Sequence, residues 1–401
     1  MPNVRHITQP AGFLAAGVKC GIKVSGREDL AIIAAQQDAS AAIVTTRNQV
    51  VGAPVIWCRK VLPRGYGKAR AIVINSGCAN ACNGPDGLRD ASVMAMWTAA
   101  ALGISPQDVL VASTGVIGHR LPMDKIRRGV DLAASSLGTA NDAAALAAIM
   151  TTDTRPKYAV ARVRIGGKTV TVAGIIKGAG MIAPSMATMI GVLTTDAAIA
   201  PASLYKALVS AVDATLNAVT IDSDTSTSDT IALLASGCAG NRRITTGGED
   251  FAKFQAALVD VCGRLARAVA ADGEGATKLI EITVTGARNA CDAEIAAKSV
   301  ANSPLFKCAV HGGDPNWGRI AAAIGKSSAR IVPEKLSIRI GGVTVFARGR
   351  GLSFNLKKVE KHLAGKTVTV ACHLGLGRGE YTAFTCDYSR EYIDINADYH
   401  T

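Results

Sequence analysis

The sequence predicts a layered α+β fold, with strands and helices alternating along a chain large enough for one big core or two lobes. Three observations carry this. Short apolar runs stopped by Asn, Ser or Gly, such as RAIVINSG (70–77), alternate with stretches of helical spacing, such as LRDASVMAMWTAAALG (88–103). Two alternating stretches turn on Gly-Gly pairs, at 166–167 and at 341–342. The composition is 49% hydrophobic but only 4% aromatic over 401 residues, so a full core must come from small side chains that let strands and helices approach closely.

Taken in order, residues 70–77 read as a strand, and 88–103 as a helix closed by Gly103. VLVAS (109–113) is a second strand running into TGVIG. GTANDAAALAAIM (138–150) reads as a helix with Thr139 or Asn141 as its N-cap. YAVARVRIGGKTVTVAGII (158–176) alternates on both sides of its Gly-Gly turn and reads as a hairpin. Met189 to Leu193 form a buried strand, and 201–219 a helix begun by Pro201. A longer helix covers 249–273, a strand 279–287, and a second hairpin 335–349. No heptad, low-complexity tract or linker interrupts the series, so the elements should pack in layers.

Forty-four Lys and Arg against 31 Asp and Glu give a net charge of +13, which raises the question of nucleic acid. The densest clusters, 58–70 and 124–129, lack the alternating aromatic platform of an RNA-binding sheet. A field that attracts small anions is the better reading. None of the ten cysteines forms C-x-x-C; Cys78 and Cys82 stand alone as C-x3-C, and most others sit in apolar runs, which suits a reducing compartment without structural zinc. The six histidines occupy unrelated contexts and no H-E-x-x-H occurs, so neither a catalytic metal nor a histidine triad is expected. AAIGKSS (322–328) lacks the first glycine of a P-loop, whose place is taken by Ile320, and GLGRG (375–379) is not a dinucleotide fingerprint. With no 18-residue apolar span and no signal-peptide pattern in MPNVRHITQPAGFLAAG, a soluble cytoplasmic protein is expected, without a membrane partner.

Thr188 is the position that needs explaining. It stands between the loop KGAGMIAPS and the apolar strand that follows. A β-branched residue in a β position is one account. The other is that the chain breaks there. A threonine made N-terminal by cleavage between Ala187 and Thr188 gains an α-amine, of ordinary pKa about 7.7–8.0, that can serve as base for its own Oγ. Gly178, Gly180 and Pro184 are residues suited to the unusual dihedrals such a break would need.

KGAGMIAPSMATMIGVLTTDA (177–197) resembles the self-cleaving segment of the ornithine acetyltransferase family, the glutamate N-acetyltransferases of arginine biosynthesis. The blocks 11–23, 70–91, 111–126, 150–157, 221–230, 314–325 and 392–401 are similar to family blocks in family order, from about residue 8 to Thr401. The resemblance implies an αββα sandwich of the N-terminal-nucleophile kind, built from two fragments, 1–187 and 188–401, that remain together and pair into a heterotetramer. It implies that Thr188 is the nucleophile in self-cleavage and then carries the acetyl group from N-acetylornithine to glutamate. Thr114 and Gly115 match the family's oxyanion pair, a hydroxyl and a backbone N–H aimed at the developing charge. Thr154, Lys177, Thr188, Glu274, Asn396 and Thr401 match its substrate-binding positions. A cation, a carboxylate and neutral donors complement substrates that carry α-carboxylates and an ammonium.

The departures are Cys78, where asparagine is common in the family, and Ser223 and Ser228, where glycine and asparagine are usual. They bear on loop geometry. The implied chemistry needs no metal or nucleotide cofactor; no motif decides whether acetyl-CoA is a second donor. Three rivals are distinguishable: an N-terminal-threonine amidase or aminopeptidase that hands the acyl group to water, an uncleaved inactive paralogue, and a basic nucleic-acid binder indifferent to Thr188.

Overall fold

The computed structural model describes residues 5–183 and 189–398. Its first sheet is built from β1 (Phe13–Val18), β2 (Leu30–Thr45), β3 (Tyr66–Cys78), β4 (Val109–Val116), β5 (Lys157–Ile165), β6 (Lys168–Lys177), β7 (Ile190–Thr195) and β8 (Thr230–Ala235). The strand order is β4-β3-β2-β8-β7-β6-β5, with β1 paired to β2. Pairing is antiparallel except for β3 with β4 and β7 with β8. The second sheet holds β9 (Leu279–Ala287), β10 (Ser337–Ile340), β11 (Val343–Ala347), β12 (Arg350–Gly351), β13 (Thr367–His373) and β14 (Gly379–Cys386), in the order β12-β11-β10-β13-β9-β14.

Helices cover these sheets, giving the layered α/β architecture the sequence predicts. The long helix Gly248–Ala271 packs on β5 and β6 and also reaches β9 and β14, so it joins the two sheets. Its Phe254, Leu258, Val261, Leu265 and Val269 recur at three- and four-residue spacing and are all buried. The core is otherwise mostly alanine, valine, isoleucine and leucine, with a few phenylalanines and cysteines, as the low aromatic content requires.

Local chemistry explains where elements stop. Helix Gly84–Leu102 ends on Gly103 in the left-handed conformation, φ 64, as expected. The helix expected over 201–219 runs only over Pro201–Ala214, followed by a single 3₁₀ turn, Leu216–Ala218. Thr215 ends it: its hydroxyl donates to the Ala211 carbonyl at 2.6 Å, and its backbone leaves the helical region. The helix expected over 138–150 is Asp142–Ile149. Asn141 occupies its cap position without capping it, because its amide donates instead to Ser136 O at 2.6 Å. Thr139 lies outside that helix.

The two stretches on either side of residues 184–188 do not form separate lobes. β7 and β8 lie between β2 and β6 of the earlier stretch, hydrogen-bonded to strands on both sides. No helix among the described residues is long and apolar enough to cross a membrane.

Candidate active site

Thr114 and Gly115 lie inside β4 rather than beyond its end, because the strand continues to Val116. Among the described residues β4 is an edge strand with β3 as its one ladder partner, Thr114 opposite Ser76 and Gly115 opposite Gly77. Gly115 has φ 124, and a Cβ there would stand 2.4 Å from the Gly77 carbonyl carbon. Only glycine permits that approach. Thr114 is 3% exposed.

Lys177 is the last residue of β6, opposite Ile190, the first of β7. It is buried, and burial lowers its ammonium pKa, while Asp153, Glu274 and Asp229 act in the other direction. Beside it runs a buried ion network. Lys157 Nζ reaches Asp153 Oδ1 at 2.6 Å and Asp272 Oδ2 at 2.5 Å. Asp153 Oδ1 also accepts the Gly178 N–H at 2.7 Å. Burial alone would raise the Asp153 carboxyl, but the Lys157 and Lys177 cations outweigh it and hold the group down at about 2. Thr154 donates its hydroxyl and its N–H to Asp272.

The loop after β6 is fixed from two sides. Asp222 accepts the N–H of Met181 at 2.6 Å and of Ile182 at 2.8 Å. Burial pushes its carboxyl up to about 6, against the pull of those N–H donors. The strained dihedral falls on Met181, φ 53, whereas Gly180 has no left-handed φ. Gly180 serves a different purpose, letting Glu274 pass close by. Glu274 N donates to Ala179 O at 2.8 Å, and Glu274 Oε2 accepts from Asn396 Nδ2 at 2.9 Å. Asn396 and Tyr392 are one helical turn apart on Arg390–Asp398 and face the same cavity.

That cavity has a volume of about 220 Å³. Thr114, Gly115, Lys177, Glu274 and Asn396, five of the residues singled out from sequence, line it together. Thr154 does not line it and is tied to Asp272 instead. Ala187, Thr188 and Thr401, like Pro184, lie outside the described residues. Asp222, Asp224 and Tyr392 also line it and were not read from the sequence. The acidic pair sits inside IDSDTSTSDT, where a chain-level reading sees a polar loop. Among the departures, Ser228 lines the cavity and Ser223 has φ 67, a position where glycine would be unstrained. All ten cysteines are free. Among the described residues, no group of three His, Cys, Asp or Glu side chains could hold a metal ion.

Fold and cavity together define a protein of layered α/β type with a small polar pocket lined by side chains of both charges. The chain belongs to the ArgJ family, whose model matches residues 14–401. It is 46% identical over 400 residues to the arginine biosynthesis bifunctional protein ArgJ of Symbiobacterium thermophilum, covering 98% of each chain. It is 42% identical to the protein of the same name from Bacillus subtilis, covering 98% of this chain and 96% of that one. A crystal structure of arginine biosynthesis bifunctional protein ArgJ from Bacillus halodurans is 40% identical, with a TM-score of 0.50, and covers 51% of this chain and 97% of that chain.

Proposed function

We propose that this protein carries out the acetyl transfer of arginine biosynthesis, from N-acetylornithine to glutamate, on a threonine that it exposes by cutting itself between Ala187 and Thr188. The observation that carries the reading is convergence. Thr114, Gly115, Lys177, Glu274 and Asn396, from four separate parts of the chain, line one cavity. β7 starts at Ile190, two residues after Thr188, directly opposite Lys177.

In the first step, Thr188 Oγ attacks the Ala187 carbonyl and the peptide nitrogen leaves, giving an ester that water hydrolyses. The products are a carboxylate on Ala187 and a free α-amine on Thr188. In transfer, that amine takes the Oγ proton as Oγ attacks the acetyl carbonyl of N-acetylornithine. The Thr114 hydroxyl and the Gly115 N–H stabilise the oxyanion, a contribution on the order of 10²–10³ in rate per donor. The amine proton passes to the departing ornithine nitrogen. Glutamate's amine then attacks the acetyl-threonine ester, and the same steps run in reverse.

Lys177 takes the substrate carboxylate, Glu274 an ammonium, and Asn396 orients Glu274. Thr154 contributes through the Asp153–Lys157–Asp272 network beside Lys177, and Thr401 completes the substrate set at the chain end. The steps use the chain's own groups throughout, and acetyl-CoA is proposed as a second donor because the relatives are named bifunctional. The fragments 1–187 and 188–401 stay together and assemble as a heterotetramer in the cytoplasm. Two observations favour fragments that stay together: the interleaving of β7 and β8 with earlier strands, and a solved relative whose chain covers 51% of this one while a full-length relative covers 98%.

Denaturing mass spectrometry of wild type beside Thr188→Ala tests the reading. Wild type should give two fragments divided before Thr188, with the variant whole. A wild type that stays a single chain overturns it. Product analysis with and without glutamate then separates transfer from hydrolysis to water.

A further inference from the structure

Tyr392, on the helix Arg390–Asp398, lines the same cavity as Lys177, Asp222, Asp224 and Glu274. Its ring is fixed by a chain of contacts. It stacks on Tyr388, with centroids 4.8 Å apart and planes 21° from parallel. Lys307 Nζ lies 4.1 Å from the Tyr388 ring centroid. Lys307 is 0% exposed, and its ammonium donates to neutral acceptors, Ile221 O and, at 2.9 Å, Thr385 Oγ1. A buried cation with neutral partners is costly, so its place needs a reason. Ile221 precedes Asp222, so one buried anchor locates the acidic segment and the Tyr388–Tyr392 stack relative to each other. The backbone is seated as well. A Cβ on Gly275, next to Glu274, would stand 2.5 Å from Tyr392 N, and Ser389 donates its hydroxyl to Gly275 O at 2.6 Å.

The two substrates of the proposed transfer end in opposite charges. Both carry an α-carboxylate, the group assigned to Lys177. The side chain of N-acetylornithine ends in an ammonium, and that of glutamate in a second carboxylate. The other charged side chains on the cavity wall, Asp222, Asp224 and Glu274, are all acidic. They suit the ammonium and repel the carboxylate. The carboxylate therefore needs a neutral donor among them. Asn396 is committed, since its amide already donates to Glu274 Oε2 and to Tyr392 O. Tyr392 is a neutral donor set among all three acids. Burial, and then the charges of Asp222, Glu274 and Asp224, push its phenol upward, so the hydroxyl keeps its proton.

We propose that Tyr392 is the residue that admits glutamate: its hydroxyl donates to the glutamate side-chain carboxylate, at the end of the cavity where the acids receive the ammonium of N-acetylornithine. Tyr388 and Lys307 are positioning residues that hold the ring there. The proposal rests on the transfer reading given above.

The test is steady-state kinetics of wild type and Tyr392→Phe, each substrate varied separately, beside a thermal melt. Phenylalanine keeps the ring and its stack on Tyr388 and removes the donor. The expected result is a KM for glutamate raised about tenfold or more, a KM for N-acetylornithine changed less than about threefold, and kcat near wild type. The melting temperature should not move. A glutamate KM within about twofold of wild type overturns the proposal. So does an equal rise for both substrates, since the hydroxyl would then serve the cavity rather than glutamate. A wild type that makes no N-acetylglutamate overturns the transfer reading instead.

A second measurement serves if the variant does not fold. Glutamate titrated into wild type without an acetyl donor should shift tyrosine absorption to the red, as when a phenol donates to a carboxylate. Glutamine, which lacks that charge, should not. No red shift with glutamate, or an equal one with glutamine, overturns the proposal.

Discussion

Gly180 and Glu274 meet so closely that no side chain fits between them: a Cβ on Gly180 would lie 2.3 Å from Glu274 Oε2 and 2.4 Å from its carboxyl carbon. The loop leading to the proposed cleavage point and a proposed substrate carboxylate are therefore fitted to each other. Gly180→Ala must displace one of them, at an overpacking cost of about 1–3 kcal/mol. Because Glu274 also loses its register with Asn396, transfer is expected to fall at least ~tenfold, with the larger part in KM. Steady-state kinetics beside a thermal melt would show it; an alanine variant with wild-type KM would mean that Glu274 is free to move aside.

Asn396 reaches the site from a helix, Arg390–Asp398, that has no buried residue of its own. Its bond to Glu274 can be removed with little effect on the core. Losing one hydrogen bond to a charged group, about 1.5–3 kcal/mol, should raise KM for N-acetylornithine roughly ten- to hundredfold in Asn396→Ala while leaving kcat near wild type. An unchanged KM would remove Asn396 from the binding set.

Lys157 is 1% exposed in its side chain and lies between Asp153 and Asp272, themselves 0% and 4% exposed. Lys157→Met leaves two buried carboxyls without their cation, a loss of about 3–5 kcal/mol. Urea denaturation followed by circular dichroism should show the midpoint falling, and activity should fall with it as Lys177 loses its ordered neighbours. A midpoint within error of wild type would show that the carboxyls find other partners.

Asp222 and Asp153 have opposite pH signatures. The Asp222 carboxyl rises in the folded chain to about 6, from an ordinary value of about 3.9. Its contribution is fully present below pH ~4 and lost as pH rises through about 6. Asp153 is held at about 2, so its contribution is present above pH ~4 and lost as pH falls through about 2. Denaturation midpoints measured from pH 4 to 7 should therefore decline less in Asp222→Asn than in wild type, and equal slopes would contradict the Asp222 assignment.

Much of this architecture was legible in the chain because its signals are local. The Gly-Gly turns at 166–167 and 341–342 have positive φ at all four glycines, as hairpin turns of this kind require. β2 was not read at all. Its sixteen residues carry Gln36, Gln37 and Asp38 at the centre, which resemble a turn. The strand instead changes register there against β3 and continues. The site divides in the same way. Lys177, Glu274 and Asn396 could be named because motif resemblance reports residue identity. Asp222, Asp229 and the Lys157 network could not, because their roles come from burial and from partners as far as 115 positions away along the chain. The dihedral strain expected at Gly180 fell on Met181 because the Asp222 carboxylate, distant in sequence, holds that residue's N–H.

The placement of β7 and β8 between β2 and β6 has a consequence for timing. The C-terminal half of β2, Ser40–Thr45, cannot gain its neighbour opposite β3 until β8 has been synthesised, roughly 190 residues later. Such non-local pairing is slow to form. Met189, beside the proposed cut, is held by Asp229 and Thr230 only once β7 has also paired with β8, so a nascent or misassembled chain lacks that frame. Cleavage would then act as a receipt for completed folding, issued after both halves are in place and recording in the covalent structure that assembly succeeded.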